Sequence, residues 1–303
     1  MLERIEFYKN RSVGERFSVA IDFLKQNWKV LYKNILIGGF PLALISFFLS
    51  TQQANNAQTS SANLLLIFLI NMLTIIISIA ISIYLYSMSG AVLFHYDRNQ
   101  LTEKTGWNDL KDTFFRFAGK YTVIFLLIFI PFVIVFTIIL VFIFAFLGLL
   151  VGAGASGNPF FPIMAVLLIF GGFIAFSPSI SMLYFPALFS GKGYLESIKI
   201  SFSLGFKNWG SLFVSILLTG IALIALIIAL IGIYLIFSLP LQYFSINIRE
   251  ANIISFAVTS FSAFGILLIQ PIIIVIFAFQ YFSIVEREEG VSLQSQMNEF
   301  ENL

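Results

Sequence analysis

Apolar and polar positions follow one another along this chain in long blocks. Leu64 to Ser82 and Val123 to Leu147 contain no Asp, Glu, Lys, Arg or His. Runs of about 18 or more such residues have the length of a membrane-crossing helix. Six spans are expected, over 30–50, 64–94, 120–151, 160–190, 209–239 and 253–285. Several exceed the roughly 20 residues that a bilayer needs, which implies tilt, kinks or helices that project from the membrane.

A second pattern precedes each odd-numbered span. Phe17, Ile21, Leu24 and Trp28 are spaced 4, 3 and 4 apart, as are Leu110, Phe114, Phe117 and Tyr121, and again Ile198, Phe202, Gly205 and Trp209. At 3.6 residues per turn each set lies on one helix face. In the first copy Arg16, Asp22, Lys25 and Lys29 fall largely elsewhere on the helix. Offsets of 93 and 181 superpose the three sets and bring Glu15, Asn108 and Glu196 together. The unit predicted is an amphipathic helix followed by a transmembrane hairpin. It occurs three times in a single membrane domain, 1–303, over about 13–98, 105–191 and 192–290. Each unit has an even number of spans and starts on the same side, so a parallel repeat about an axis near the membrane normal is expected. The aromatic faces suit the membrane interface; the alternative is that these stretches extend the spans and pack on one another beside the membrane. A polar tail, 291–303, closes the sequence.

Composition agrees with lipid as the solvent. The chain is 59% hydrophobic and 11% charged, against about 25% charged in a soluble domain. Net charge matters less than its placement. The side holding both termini and the segments 95–119 and 191–208 carries sixteen Lys and Arg with Lys33 and Lys120 included; the other side carries Arg249 alone. The positive-inside rule makes the first side cytoplasmic. The stretch ahead of the first span is longer than a signal-peptide n-region, so no cleavage is expected.

The chemistry for catalysis is missing from this pattern. There is no Cys, hence no thiolate nucleophile or Cys-based metal site. The six spans hold no Asp or Glu on which to build a proton relay or carboxylate ion site. The one histidine, His95, reads as a solvated loop residue. No phosphate-loop, dinucleotide or zinc-protease motif is present. No cofactor, metal or nucleic acid is expected. The polar candidates within spans are Asn71, Gln270 and Gln280, which read as glue between helices or, alternatively, as amides that orient a solute. Gly171, Ala175 and Ser179 form a small-residue ridge for close helix packing.

Arg11-Ser12-Val13-Gly14-Glu15-Arg16-Phe17, with Asp22-Phe23-Leu24 and Asn27-Trp28, resembles the opening of a group of bacterial membrane families. Among these are the membrane region attached to some glycerophosphodiester phosphodiesterases and six-span relatives of it. The phosphodiesterase catalytic domain has no counterpart here. The resemblance implies a membrane module and carries over no site residue. The expectation is an all-α, non-enzymatic inner-membrane protein. Its partners would be membrane lipids, and other membrane proteins or a second copy. Its role would be lipid organisation, envelope maintenance or membrane-complex assembly. A transporter or channel for an apolar or uncharged solute is the alternative.

Overall fold

The computed structural model describes residues 4–57, 64–152, 171–172, 174–243 and 261–291. All regular structure among them is helical. The helices are α1 (Val13–Ala57), α2 (Leu64–Asp97), α3 (Trp107–Gly152), α4 (Ile174–Phe189), α5 (Tyr194–Lys207), α6 (Trp209–Tyr243) and α7 (Ile266–Glu289), the last entered through a π-helical turn, Phe261–Gly265. Among the described residues four helices are long and apolar enough to cross a membrane, or five if the bent pair α5–α6 counts as one span. Most of 160–173 in the fourth expected span, the start of the sixth, much of the segments 51–63, 152–159 and 240–252, and nearly all of the polar tail lie outside the described residues.

The chain divides into two compact units, Met1–Ala118 with Val214–Leu303, and Gly119–Phe213. In the first, α1 runs antiparallel to both α2 and α7. Contacts with α2 pass from Gln53–Asn71 (2.6 Å) through Asn34–Tyr84 (2.7 Å) to Gln26–Tyr96 (3.3 Å). Those with α7 pass from the Phe47–Phe264 rings through Tyr32–Leu268 (2.7 Å) to Arg16–Gln280 (2.9 Å). The close approach is made at Gly38-Gly39. A Cβ on Gly38 would lie 2.6 Å from the Tyr84 ring, and one on Gly39 3.0 Å from Leu267 Cδ2. The Tyr84 hydroxyl donates to Asn34 O and accepts from Gly38 N (3.0 Å). It thus inserts between a carbonyl and the amide four residues on, which would otherwise pair in the helical ladder.

Packing in this unit is graded. Residues Leu64 to Phe68 and Met72 to Ile76 of α2 are mostly exposed, whereas Leu85, Met88, Val92 and Leu93 are fully buried. The core therefore lies toward the end that carries the N-terminus, the 98–106 loop and Glu286–Glu289, called here the charged end.

In the second unit two prolines shape α4. Pro178 and Pro186 lack the N–H that would pair with Ile174 O and Met182 O. The freed carbonyls find other donors: Ser177 Oγ donates to Ile174 O (3.0 Å), and Phe185 N and Ser201 Oγ both donate to Met182 O (3.3 Å). Between the prolines the helix tightens, with Met182 N donating to Ser179 O and Leu183 N to Ile180 O. Ile124, Leu183 and Ala187 form the core, with Ile128, Tyr184, Ile198 and Phe202 packed around them.

Candidate functional site

The three amphipathic stretches are the candidate site, and each begins in a like manner. α1, α3 and α5 start at Val13, Trp107 and Tyr194, so the second and third starts lie 94 and 181 residues after the first. An acidic residue stands at the third helical position each time: Glu15, Asp109 and Glu196. Glu15 and Ser12 form a reciprocal capping box: Ser12 N donates to Glu15 Oε2 (2.7 Å) and Glu15 N to Ser12 Oγ (3.4 Å). Gly106 N donates to Asp109 Oδ2 (2.8 Å). Glu196 pairs with Lys192 at 3.4 Å. Counted from the helix starts the offset is 94 rather than 93, which sets Asp109 rather than Asn108 level with Glu15. Tyr121 then matches Asn27, not Trp28.

Buried positions follow the same register. α1 buries Arg16, Ala20 and Phe23; α3 buries Leu110, Phe114, Phe117 and Tyr121; α5 buries Ser197, Ser201 and Leu204, followed by Asn208. Asn27 and Asn208, each donating from Nδ2 to the carbonyl four residues back at 3.0 Å, occupy equivalent places. In α3 the buried set is the one the spacing selects. In α1 it is the neighbouring row, and in α5 it is the neighbouring row together with Gly205 of the selected one. There Ile21 and Trp28 are exposed, Phe17 and Leu24 half-buried, and Ile198, Phe202 and Trp209 half-buried. Two polar residues in the rows that pack have partners across the helix interface: Arg16 donates to Gln280 Oε1, and Ser201 Oγ to Met182 O and Leu183 O.

Arg16 is the largest correction. Sequence spacing puts it among the wet charges with Lys25 and Lys29, yet it is 2% exposed. Its Nη1 donates to Gln280 Oε1, and its Nε donates to Arg11 O (2.8 Å). Arg11 N in turn donates to Ser283 Oγ (3.0 Å). The segment Arg4–Ser12 is thereby strapped across the charged end. Phe7 is buried against Phe23, Tyr96, Phe279 and Phe282, with ring centroids 4.7–6.1 Å apart, and Arg4 Nη2 donates to Asp97 O (2.7 Å).

The two kinds of stretch differ in geometry. α1 is one helix of 45 residues, about 68 Å long at 1.5 Å per residue. A helix without a break cannot both lie in a membrane plane over Phe17–Trp28 and cross it afterwards, so the geometry of α1 favours the alternative in which Phe17–Trp28 extends the span. α3 is likewise unbroken over Trp107–Gly152. The third copy breaks: at Asn208 the chain turns by 88° between Tyr194–Lys207 and Trp209–Ala225. α5 packs by small residues. A Cβ on Gly205 would lie 2.5 Å from Ser179 Cα, and Trp209 Nε1 donates to Ala175 O (3.1 Å). Of the expected small-residue ridge, Ser179 is the position that α5 rests on, Ala175 accepts from Trp209 at the start of α6, and Gly171 lies outside α4, where an added Cβ would meet nothing within 4 Å among the described residues. A second row on α5 carries Leu195 and Phe206, 73% and 50% exposed, with Ile198 and Phe202 half-buried between them and the Phe176 ring of α4 edge-on to Phe202 and Phe206.

Of the intramembrane amides, Asn71 accepts from Gln53 Nε2 and Gln280 joins α7 to Arg16. Gln270 has its Oε1 buried without a partner. The sequence reading missed the Tyr84 insertion, for which Gly38-Gly39 is the only local signal, and missed Phe7, whose partners lie in three separate segments. No family model, curated protein or solved structure matches the chain.

Proposed function

We propose that this is a non-enzymatic, six-span protein of the bacterial inner membrane, with both termini cytoplasmic, which organises lipid or seats a membrane complex. It consists of three copies of an amphipathic helix followed by a hairpin, in the 94 and 181 register. The common helix starts, the common third-position carboxylates and the common buried rows support that repeat. So does the partner of each stretch: Phe94 and His95 near the end of α2 meet Phe117 and Thr113 of α3, α4 meets α5, and Gln280 near the end of α7 meets Arg16 of α1.

The observation that carries the lipid reading is α5. It stands at 88° to the span that follows and exposes Leu195 and Phe206 beside the half-buried Ile198 and Phe202, which pack inward on Leu183 and Ala187 and, with Phe206, on the Phe176 ring of α4, while Lys192, Lys199 and Lys207 stand around the row. A helix of that composition lies in an interface, apolar side in the acyl boundary and ammonium groups at the headgroups. The full chain should be reconstituted into vesicles of phosphatidylcholine with and without phosphatidylglycerol. Replacing Leu195, Phe202 and Phe206 by Ser should lower its thermal stability in both, since burying each such side chain is worth roughly 1.5–3 kcal/mol. Replacing Lys192, Lys199 and Lys207 by Gln should remove only the stabilisation that anionic lipid adds, about 1 kcal/mol per charge, and high salt should abolish that difference. If neither set changes lipid dependence, α5 is not an anchor. The transport alternative, for an apolar or uncharged solute, would then draw on Gln270. Against it stands the packing of the first unit, filled at its charged end by fully buried Phe23, Leu31, Ile35, Phe279 and Phe282.

A further inference from the structure

The loop between α2 and α3 builds a groove of about 470 Å³ lined by His95, Gln100, Thr102, Lys104, Thr105 and Asp109. That volume falls in the range of small-ligand sites, about 300–1,000 Å³. The loop is ordered by its own side chains. Thr102 N donates to Thr105 Oγ1 (2.9 Å), Thr105 N to Thr102 O (3.0 Å), and Gln100 N to His95 O (2.9 Å). Thr105, 4% exposed, forms the floor, and behind it Asn34 Nδ2 reaches Thr105 O at 3.4 Å.

Asn34 fixes the depth of the groove. Along the exposed stripe of α1, Asp22, Lys25, Lys29 and Lys33 give way within one turn to Leu36 and Phe40. The change from charge to large apolar groups marks the boundary between headgroups and acyl chains, and Asn34 sits on it. Tyr84 shares that level through its bond to Asn34 O. His95, eleven residues further along α2, is about 16 Å beyond it. The groove thus starts at the apolar boundary, crosses the roughly 5–8 Å that lipid headgroups occupy on one side, and opens beyond it at His95.

Its chemistry is that of a zwitterion. The groove holds one ammonium, Lys104, and one carboxylate, Asp109, which make no ion pair with each other. Lys104 forms no salt bridge among the described residues. Asp109 uses Oδ2 to hold Gly106 N, leaving Oδ1 as an acceptor. The Thr102 and Thr105 hydroxyls lie 3.2 Å apart and share one proton between them, so the second hydroxyl proton is available to a further acceptor. Lys104, that hydroxyl and the Gln100 amide are donors for a phosphate ester, while Asp109 Oδ1 accepts from a primary ammonium. A quaternary ammonium has no N–H to give a carboxylate and is held by aromatic faces, and among the groove's six residues the only aromatic ring is the His95 imidazole. We propose that the groove binds a phosphoethanolamine group, as a phospholipid headgroup or as the free ester. This rests on the membrane placement proposed above but not on α5.

The test titrates the full chain in maltoside detergent with dihexanoyl phosphatidylethanolamine, the corresponding phosphatidylcholine and phosphatidylglycerol, and free phosphoethanolamine, reading affinity by calorimetry. The ethanolamine lipid should bind about tenfold or more tighter than the choline lipid, a difference that needs no variant to measure. Asp109→Asn keeps an oxygen for Gly106 N and should abolish that discrimination. Lys104→Gln should weaken both zwitterionic lipids alike. If free phosphoethanolamine binds as tightly as the lipid, the soluble ester is the ligand; if only the lipid binds, the headgroup is. Either result upholds the site. Equal affinity for ethanolamine and choline lipids, a preference for phosphatidylglycerol, or indifference to Asp109→Asn overturns it. None of these failures touches the seating of α5, which vesicle stability reads separately.

Discussion

Single atoms decide how closely the helices of the first unit approach. A methyl group on Gly38 would meet the Tyr84 ring at 2.6 Å. That ring is pinned by two hydrogen bonds to α1 and cannot swing clear. Gly38→Ala should therefore cost about 1–3 kcal/mol, the range for overpacking a filled core, and a denaturation midpoint within error of wild type would contradict it. Gly205→Ala should be harsher, because the obstacle is the backbone of Ser179 rather than a ring. Tyr8 gives a different handle. Burial, then the carboxylates of Asp97, Glu289 and Glu286, hold its phenol above the ordinary value. A phenol raised in the folded state keeps its proton where the unfolded chain loses it, so its contribution is complete below about pH 10 and fades as pH rises further. The melting temperature of Tyr8→Phe should accordingly fall less steeply than that of wild type above about pH 10. Parallel curves would mean that Tyr8 is not the group responsible.

At the scale of the helix, the sequence was legible in its periods and misleading in its faces. The long apolar runs mark α1, α2, α3, α6 and α7, and the 4, 3, 4 spacing places α5 and the openings of α1 and α3. That spacing names the packed row only in α3, where Leu110, Phe114 and Phe117 are both the most apolar set and the buried one. In α1 the adjacent row, Arg16, Ala20, Phe23 and Asn27, reads as polar because its partners Gln280 and Phe279 lie far along the chain. In α5 the row of Ser197, Ser201 and Gly205 reads as weakly polar because small residues signal close packing only once the opposing Ser179 is known. The break at Asn208 has no counterpart at Asn27, although both asparagines make the same bond to the carbonyl four residues back. Single cysteines test the assigned faces, and the chain supplies no background thiol. In mild detergent, Ile21→Cys and Leu195→Cys should react readily with a maleimide, and Ala20→Cys and Ser201→Cys slowly. Equal rates within either pair would move the packed row back to the one the spacing selected.

Over the whole molecule, the charge distribution and the helix count make a joint claim. Reporter fusions at residues 103 and 200 should appear on the cytoplasmic side and fusions at 58, 156 and 247 outside. An external signal at 103 or 200 would remove the six-span reading and the repeat with it. The link between Arg16 and Gln280, 264 residues apart, also says something about how the protein comes into being. At about 5–20 residues per second, roughly 13–50 s separate the synthesis of the two. Throughout that interval the first helix carries a guanidinium, and a recess for Phe7, whose partners on α7 do not yet exist. An arginine left without its partner in a packed interface is costly, so the opening helix is held unfinished until the final one arrives. A translation product that stops short of α7 would display that open charge and ring cluster, the kind of surface on which chaperones and proteases act. The strap of Arg4–Ser12 is, in this sense, a seal that closes only once α7 has been made.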